Sequence, residues 1–435
     1  MRKLVHVIGA GLAGLATAVQ LQRRGAQVVL YEAADQAGGR CRTYYDRALA
    51  ATIDSGNHLV LSGQQATLNY VRAIGSADDL VGPTQPEYPF VDLATNRRWT
   101  VRMSEGHFPA WIFRSAARVP DTRWTDYLSV VPLLFAKPGR SVAQTMRSNG
   151  PLWERMLRPL LLAMTNTDPR HATAELVGAA LRDTFAAGGP ASRPLVTRNG
   201  LGSAFVEPAL RLLQHGGAAI RLGARLDALE FADGDEVDNG NGSRRVAALR
   251  LNEAERIEIG ATEAVVLAVT PDVAQSLVPG VQAPRRFSAI VTAHFAVEPP
   301  LGHPPLMGLV NATANWLIAS DGRLSVTAYD AAGRAASLAD MPRDELARQL
   351  WIDVAQATGL SADLPLKWQL NVEPRATFAA QPDDEMRRPA TRTRWNNLML
   401  AGDWTATGLP PGIEGAIRSG QKAADTLLNE PMERR

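Results

Sequence analysis

The sequence predicts an α/β fold, and three observations carry that prediction. An apolar run at residues 4–8 leads into Gly9-Ala10-Gly11-Leu12-Ala13-Gly14 and then into a helical pattern. Strand-like apolar runs return between 195 and 270, after a long stretch rich in Trp, Pro and Arg. The chain closes with a further apolar run, a glycine and a last helical segment. Together they predict one parallel-stranded module assembled from discontinuous segments, 1–65, 193–284 and 390–435. A second, mixed helical and β-sheet domain is expected from 66–192 and 285–389.

Residues 4–8, Leu-Val-His-Val-Ile, read as a short buried strand. Over 12–24, Leu12, Leu15, Ala16 and Val19 recur at helical spacing, and Gly25 stands where a helix end favours glycine. Residues 27–32, centred on Val28-Val29-Leu30-Tyr31, read as a second strand. Two strands joined by one helix imply a parallel pair with a right-handed crossover. Residues 65–190 read mostly as short helices, with Trp111, Phe113, Trp124, Tyr127 and Phe135 set among Arg114, Arg118 and Arg123. Strands are expected at 218–221, 226–231, 246–251 and 264–269. The acidic, glycine-rich stretch 233–243 reads as a solvated hairpin tip. Mixed strands and one helix, 344–358, follow over 285–380. A strand at 397–401 enters Gly402, and 415–428 forms a closing helix.

A chain of 435 residues, 46% hydrophobic and 21% charged, suits two or three domains around a large core. Lys plus Arg (46) nearly cancels Asp plus Glu (44), so nothing in the charge favours a nucleic-acid partner. The single cysteine, Cys41, excludes an internal disulfide framework and a cysteine zinc site, and fits a reducing, cytoplasmic setting. No metal site is expected. No secretory leader is legible ahead of the first strand, and no run approaches the roughly 18 apolar residues of a membrane span.

Each glycine of the first turn has a physical task. Gly9 makes the tight turn, Gly11 lets the backbone approach a pyrophosphate, and Gly14 packs helix on strand. The helix beginning at Leu12 and Ala13 presents free N–H groups to phosphate charge. Glu32 ends the second strand, where a carboxylate accepts from ribose hydroxyls, and Ala33 follows it. Gly38-Gly39-Arg40 adds a glycine pair open to close approach and a guanidinium fork. Asp54-Ser55-Gly56-Asn57-His58 is a further acidic-glycine stretch. Leu400-Ala401-Gly402-Asp403-Trp404 and Gly412-Ile413-Glu414-Gly415-Ala416 complete the set, the last opening a helix whose N-terminus stabilises negative charge.

Taken together, these motifs resemble the flavin amine oxidase and phytoene desaturase superfamily. The resemblance implies a glutathione-reductase-like FAD-binding domain. It implies that Gly9, Gly11, Leu12, Ala13, Gly14, Glu32, Ala33, Gly39 and Arg40 hold the dinucleotide. Gly56, Asn57 and His58 would run near the flavin ring, and Leu226 would give backbone bonds to adenine. Gly402 and Asp403 would face the ribityl or ribose region, with Gly412, Ile413 and Glu414 at the isoalloxazine. Asn199-Gly200-Leu201-Gly202 resembles the family's glycine turn before a helix, and 265–271 the strand that returns near the dinucleotide. Cys41, beside the pyrophosphate segment, is not expected to attach the flavin covalently.

Residues 54–63, 404–410 and 413–420, with Thr165-Asn166-Thr167-Asp168-Pro169 and the stretch to Phe185, are similar to the squalene-associated branch, the hydroxysqualene dehydroxylases of bacterial hopanoid pathways. Pro411-Gly412 departs from the Ala-Thr expected there. This resemblance implies reduction of hydroxysqualene to squalene with loss of water. Loss of the allylic hydroxyl would leave a delocalised cation that hydride from the flavin quenches. The partners implied are a long apolar isoprenoid substrate and an unidentified electron donor, because a single dinucleotide fingerprint is present. Asp54 and His58 are the candidate proton donors, with Asp54 alternatively a turn residue or an Arg40 partner and His58 alternatively a core histidine.

Three rival readings remain beside it. A carotenoid or phytoene-type desaturase would handle a similar polyene in the opposite hydride direction. An amine oxidase is disfavoured, because Gly412 and Leu409 stand where aromatic residues would cage a cation. A flavin-free isoprenoid-binding escort protein of the same fold is the reading from another class. The aromatic segment around 101–136 and the leucines at 160–162 are open to ordinary core packing, to lining an isoprenoid tunnel, or to peripheral contact with the inner face of a membrane, the arginines toward headgroups.

Overall fold

Five strands far apart in the chain lie side by side. β1 (Leu4–Ile8) is central, flanked by β2 (Gln27–Tyr31) and then Ala219–Arg221 on one side, and by Ala264–Leu267 and then Leu398–Leu400 on the other. All four pairings are parallel. The structure, a computed structural model, describes residues 3–232, 244–320, 322–329 and 338–429. The hairpin tip expected at 233–243 lies outside the described residues.

A parallel sheet must be covered on both faces, which is why its strands are near-continuous apolar runs. On one face α1 (Leu12–Arg23) and the C-terminal helix Ile413–Asn429 pack over Val5, Val7, Leu30, Val266 and Met399. On the other, Ile8, Tyr31, Val265 and Leu267 meet an antiparallel sheet of Leu226–Phe231, Val246–Leu251 and Glu255–Glu258. α1 sits close to β1 because residue 14 has no side chain: a Cβ there would lie 1.8 Å from the Gly9 carbonyl oxygen. The predicted βαβ unit is therefore present with its crossover helix.

A second, seven-stranded sheet runs in the order Trp368–Phe378, Phe287–Phe295, Arg323–Tyr329, Trp316–Ser320, Leu306–Val310, Glu87–Asp92 and Arg97–Arg102. The helix Arg343–Thr358 covers one face with Leu346, Leu350, Trp351 and Val354. Short helices from 110–165 cover the region of Phe90, Trp99 and Trp316. The expectation of mostly short helices over 65–190 needs one correction: Glu87–Asp92 and Arg97–Arg102 form a hairpin on the end of this sheet, the first of them parallel to Leu306–Val310. Their pattern was hidden by Pro89 and by the Arg97-Arg98 pair, whose charge is carried outward by long stems. Glu255–Glu258 was also missed, because an exposed edge strand needs no apolar face.

Among the aromatic and leucine positions left open above, Trp111, Leu160 and Leu161 are buried in the apolar cluster beneath the second sheet, and Leu162 is buried where it lines a cavity with Leu309, Val310 and Tyr329. No helix among the described residues is long and apolar enough to cross a membrane.

Candidate active site

The glycine turn after β1 is held by three backbone and side-chain contacts. Gly9 N–H donates to the Tyr31 carbonyl (2.7 Å), and Gly38 N–H donates to the Ala10 carbonyl (2.8 Å). Ala10 N–H donates to Glu32 Oε2 (2.8 Å), and Ala34 N–H donates to Glu32 Oε1 (3.0 Å). Glu32 is thereby fixed at the end of β2, each oxygen keeping a second lone pair for a hydroxyl donor. The loop leading into Leu226 is tied to the same place, with Gly223 N–H on the Ala34 carbonyl and Ala224 N–H on the Glu32 carbonyl. Ala33 is exposed beside Glu32, and Leu226 is buried at the head of its strand.

This cradle fits the pyrophosphate of a dinucleotide. The first intrahelical bond of α1 is Leu15 N–H to Gly11 O (2.9 Å), so the N–H groups of Leu12, Ala13 and Gly14 carry no intrahelical partner. A Cβ built on Gly11 would meet nothing within 4 Å, so the backbone there faces open space. Gly39 closes the other side: a Cβ on it would lie 3.2 Å from the Gly11 Cα. Helix N-terminus, open glycine and carboxylate together match a ribose and pyrophosphate in size and charge.

The chain's two ends meet here. Arg40 donates from Nη2 to Asp403 Oδ1 (2.7 Å) and from Nη1 to the Ala376 carbonyl (2.6 Å). Asp403 is buried, and its Oδ2 accepts the Gly412 N–H (3.2 Å). Gly402 N–H donates to Ser419 Oγ (2.8 Å), locking the turn to the C-terminal helix. Gly412 is exposed at the start of that helix and Ile413 is buried under it. Cys41 is buried, and burial pushes its thiol up to about 12, so it stays protonated.

Three expectations are corrected. Arg40 was weighed as a partner for Asp54, but its partner is Asp403. Asp54 was a candidate proton donor, but its Oδ1 accepts from the Thr43 hydroxyl and from Leu201 N–H (2.8 Å). That geometry ties Ala51–Asp54 to the Gly200 turn. Glu414 was placed at the cofactor, but its buried carboxylate caps α2 (Gln65–Ile74). It accepts Ala66 N–H on Oε1 (3.1 Å), and Thr67 N–H (2.8 Å) and Oγ1 (2.7 Å) on Oε2, and pairs with Arg418 at 3.0 Å. A helix N-terminus needs such an acceptor. The first intrahelical bond of the C-terminal helix is Ala416 N–H to the Gly412 carbonyl (3.0 Å), so the N–H groups of Ile413, Glu414 and Gly415 carry no intrahelical partner.

His58 is half-buried, with Nδ1 3.1 Å from the Gly56 carbonyl. Burial lowers its pKa, with the nearby Arg40 charge adding to the effect, while the Gly56 bond and the Asp54 charge work in the other direction. A ring held neutral donates Nδ1–H to Gly56 and keeps Nε2 as an acceptor, which makes His58 a poor acid. Asn57 is held by the second sheet: its Nδ2 donates to Thr327 Oγ1 (3.0 Å), and Ser325 Oγ donates to its Oδ1 (2.9 Å). Ser325 in turn meets His294 Nδ1 at 3.0 Å.

Two residues that organise this site carried no signal in the sequence. His294 is buried, and burial, then the Arg323 charge, hold its imidazole down at about 4. Its folded pKa lies below the unfolded value near 6.5, so its stabilising contribution is full above about pH 6.5 and is lost as pH falls toward about 4. Between about pH 7 and about pH 5, wild type should lose about 2 kcal/mol more in urea titrations than His294→Asn. Equal losses would remove His294 from the acid sensitivity. Arg388, the other, sits in an arginine pair before a proline. Its side chain is wholly buried and reaches the Asp403 and Leu409 carbonyls.

The sequence comparisons agree with this geometry. The family of flavin containing amine oxidoreductases matches residues 12–428. A hydroxysqualene dehydroxylase of Sinorhizobium fredii is 48% identical over 99% of both chains. One of Zymomonas mobilis is 37% identical over 98% of this chain and 99% of its own. A probable zeta-carotene desaturase of Synechococcus elongatus is 23% identical over 98% of both chains. Among solved structures, a putative protoporphyrinogen oxidase from Exiguobacterium superposes with a TM-score of 0.65 at 16% identity, covering 99% of this chain and 100% of its own, which shows the fold. The chain belongs to the flavin-containing amine oxidoreductases and, within them, to the hydroxysqualene dehydroxylases.

Proposed function

We propose that this protein is an FAD-dependent oxidoreductase that reduces hydroxysqualene to squalene with loss of water. The observation that carries the reading is identity of 37–48% to hydroxysqualene dehydroxylases along nearly the whole chain. The desaturase alternative rests on relatives at 23% identity, and the flavin-free escort has no support beside it. The division of labour follows the two sheets: 1–65, 193–284 and 390–435 bind FAD, and 66–192 with 285–389 bind substrate.

In this reading Gly9, Gly11 and Gly14, the α1 N-terminus and Glu32 hold the dinucleotide, and Gly39 and Gly402 line it. Arg40 holds Asp403 in place, and Asp403 positions the Gly412 amide. The N-terminus of the C-terminal helix stabilises negative charge at the ring. When bound, reduced flavin would supply a hydride and a proton equivalent, so that the substrate's hydroxyl leaves as water and the flavin is left oxidised. Neutral His58, with Nε2 as acceptor, orients the hydroxyl hydrogen. Asn57, clamped by Ser325 and Thr327, keeps the 54–58 segment in register with the second sheet. The rest of the task is positioning in a dry cavity, so few polar groups are needed. A separate reductant recharges the flavin, and the apolar substrate arrives from a membrane surface.

The test is anaerobic. Purified protein reduced with dithionite and given hydroxysqualene should regain its oxidised flavin band as squalene appears in equal amount. A flavin that stays reduced would move the substrate toward desaturation, and a protein that cannot be loaded with FAD would overturn the enzyme reading.

A further inference from the structure

We propose that residues 108–135 form a docking surface for a bilayer containing anionic phospholipid, a proposal that rests on the apolar substrate argued above. Thirteen large hydrophobic side chains are exposed among the described residues, and six of them fall in this segment: Phe108, Phe113, Trp124, Leu128, Val131 and Phe135, between 44% and 78% exposed. The other seven are scattered from Tyr45 to Met386. Scattered exposed hydrophobes need no explanation, but a cluster does.

The six side chains are organised. The rings of Phe108 and Phe113 stack at 6.3 Å, and Phe113 meets Trp124 at 5.7 Å. Along the helical stretch 124–134 and its cap, Trp124, Leu128, Val131 and Phe135 recur at steps of four, three and four, which puts them on one face. The opposite side carries Tyr127, Val130, Leu133 and Leu134, which pack on the core with Trp111 and Trp153. The segment is therefore amphipathic in an inverted sense: both faces are apolar, and one of them points to solvent.

The charge around the patch selects the occupant. Residues 106–140 hold five cations, Arg114, Arg118, Arg123, Lys137 and Arg140, against Asp121 and Asp126. Asp121 is already bound by Arg97 and Arg155 (both 2.6 Å), and Asp126 accepts the Arg123 N–H (2.7 Å). Arg114, Lys137 and Arg140 have no ion-pair partner among the described residues. The surplus is local, since the whole chain carries only +2. Aromatic side chains ringed by unpaired arginine and lysine suit the headgroup boundary of an anionic bilayer. Beneath the patch, the same apolar cluster continues to Leu59 and Leu61, directly after His58. A lipid-soluble substrate taken up here would stay in apolar surroundings on its way to the site.

The experiment is flotation of the full-length, flavin-loaded protein with vesicles of phosphatidylcholine alone or with about one third phosphatidylglycerol. Wild type should float with the anionic vesicles, less so as salt rises. Phe113→Ser with Phe135→Ser should weaken binding at least about tenfold. Arg114→Gln with Lys137→Gln should weaken it about fivefold per cation removed. All four positions lie outside the site, so flavin content and turnover of detergent-dispersed substrate should not change. The proposal is overturned by wild type that stays unbound or binds both vesicles equally, or by variants that float as well as wild type. It is also overturned if sedimentation without vesicles shows a dimer that the Phe pair abolishes, which would make the patch a contact between copies. Flotation is read without turnover, so a failed dehydroxylation assay beside intact flotation would fault only the proposed reaction.

Discussion

Arg388→Met should lose its flavin and about 3–5 kcal/mol of stability. The Arg388 side chain is wholly buried over the Phe378 ring (4.7 Å), and its hydrogen bonds tie Glu385 to the 403–409 loop. Nη1 donates to Glu385 Oε2 (2.7 Å) and the Leu409 carbonyl (3.0 Å), and Nη2 donates to the Asp403 carbonyl (2.9 Å) and Thr407 Oγ1 (2.6 Å). Methionine fills similar space but leaves those acceptors without donors in a dry interior. Burial already pushes the Glu385 carboxyl up, and the Arg388 charge works against that shift, so the variant should also protonate Glu385 more readily. The loop it holds leads from Asp403 to Gly412, so flavin retention should fall together with stability. Urea midpoints and the visible spectrum after gel filtration check this. A variant with full flavin content and an unchanged midpoint would show that the loop holds itself.

Gly420→Val should cost more than about 3 kcal/mol and give little folded, yellow protein. The C-terminal helix crosses α1 where residue 420 has no side chain. A Cβ there would lie 2.2 Å from the Ala13 carbonyl oxygen and 3.0 Å from Thr17 N and Oγ1. The atoms in the way are mostly main chain of α1, so no rotamer change relieves the overlap. Thr17 Oγ1 also donates to the Gly420 carbonyl (3.1 Å), a bond that helix separation would break. Ala13 belongs to the glycine turn 9–14, so displacement there should reach the proposed dinucleotide site. Gly420→Ala is the graded control, with a smaller loss in the same direction. Soluble yield and thermal midpoint decide the matter, and a valine variant with wild-type values would mean that the two helices slide freely.

The turn chemistry was legible because it is local. Gly9 to Gly14, Glu32 and Gly38-Gly39 do their work within a few residues of a strand end, and the constraint is steric, so the residue type itself announces it. The parallel order of the first sheet was likewise implied by strands alternating with helices. The hairpin at 87–102 was not, because Pro89 interrupts its first strand and the exposed Arg97-Arg98 pair opens its second, while its place beside Leu306–Val310 is a pairing across more than 200 residues.

The side-chain partners were decided only in three dimensions. Arg40 finds Asp403 across 363 positions of sequence, and Glu414 caps α2 across 347. Sequence set the motif around each of these residues, but not the direction in which its charge is satisfied. A buried charge takes whichever donor the packing of distant elements brings within reach. The same holds for Arg388 and His294, whose roles come entirely from burial. Sequence by itself determined the fold class, the dinucleotide turn and the family likeness. Tertiary structure alone decided which carboxylates serve the site, which serve the scaffold, and which aromatic residues of 108–135 face water.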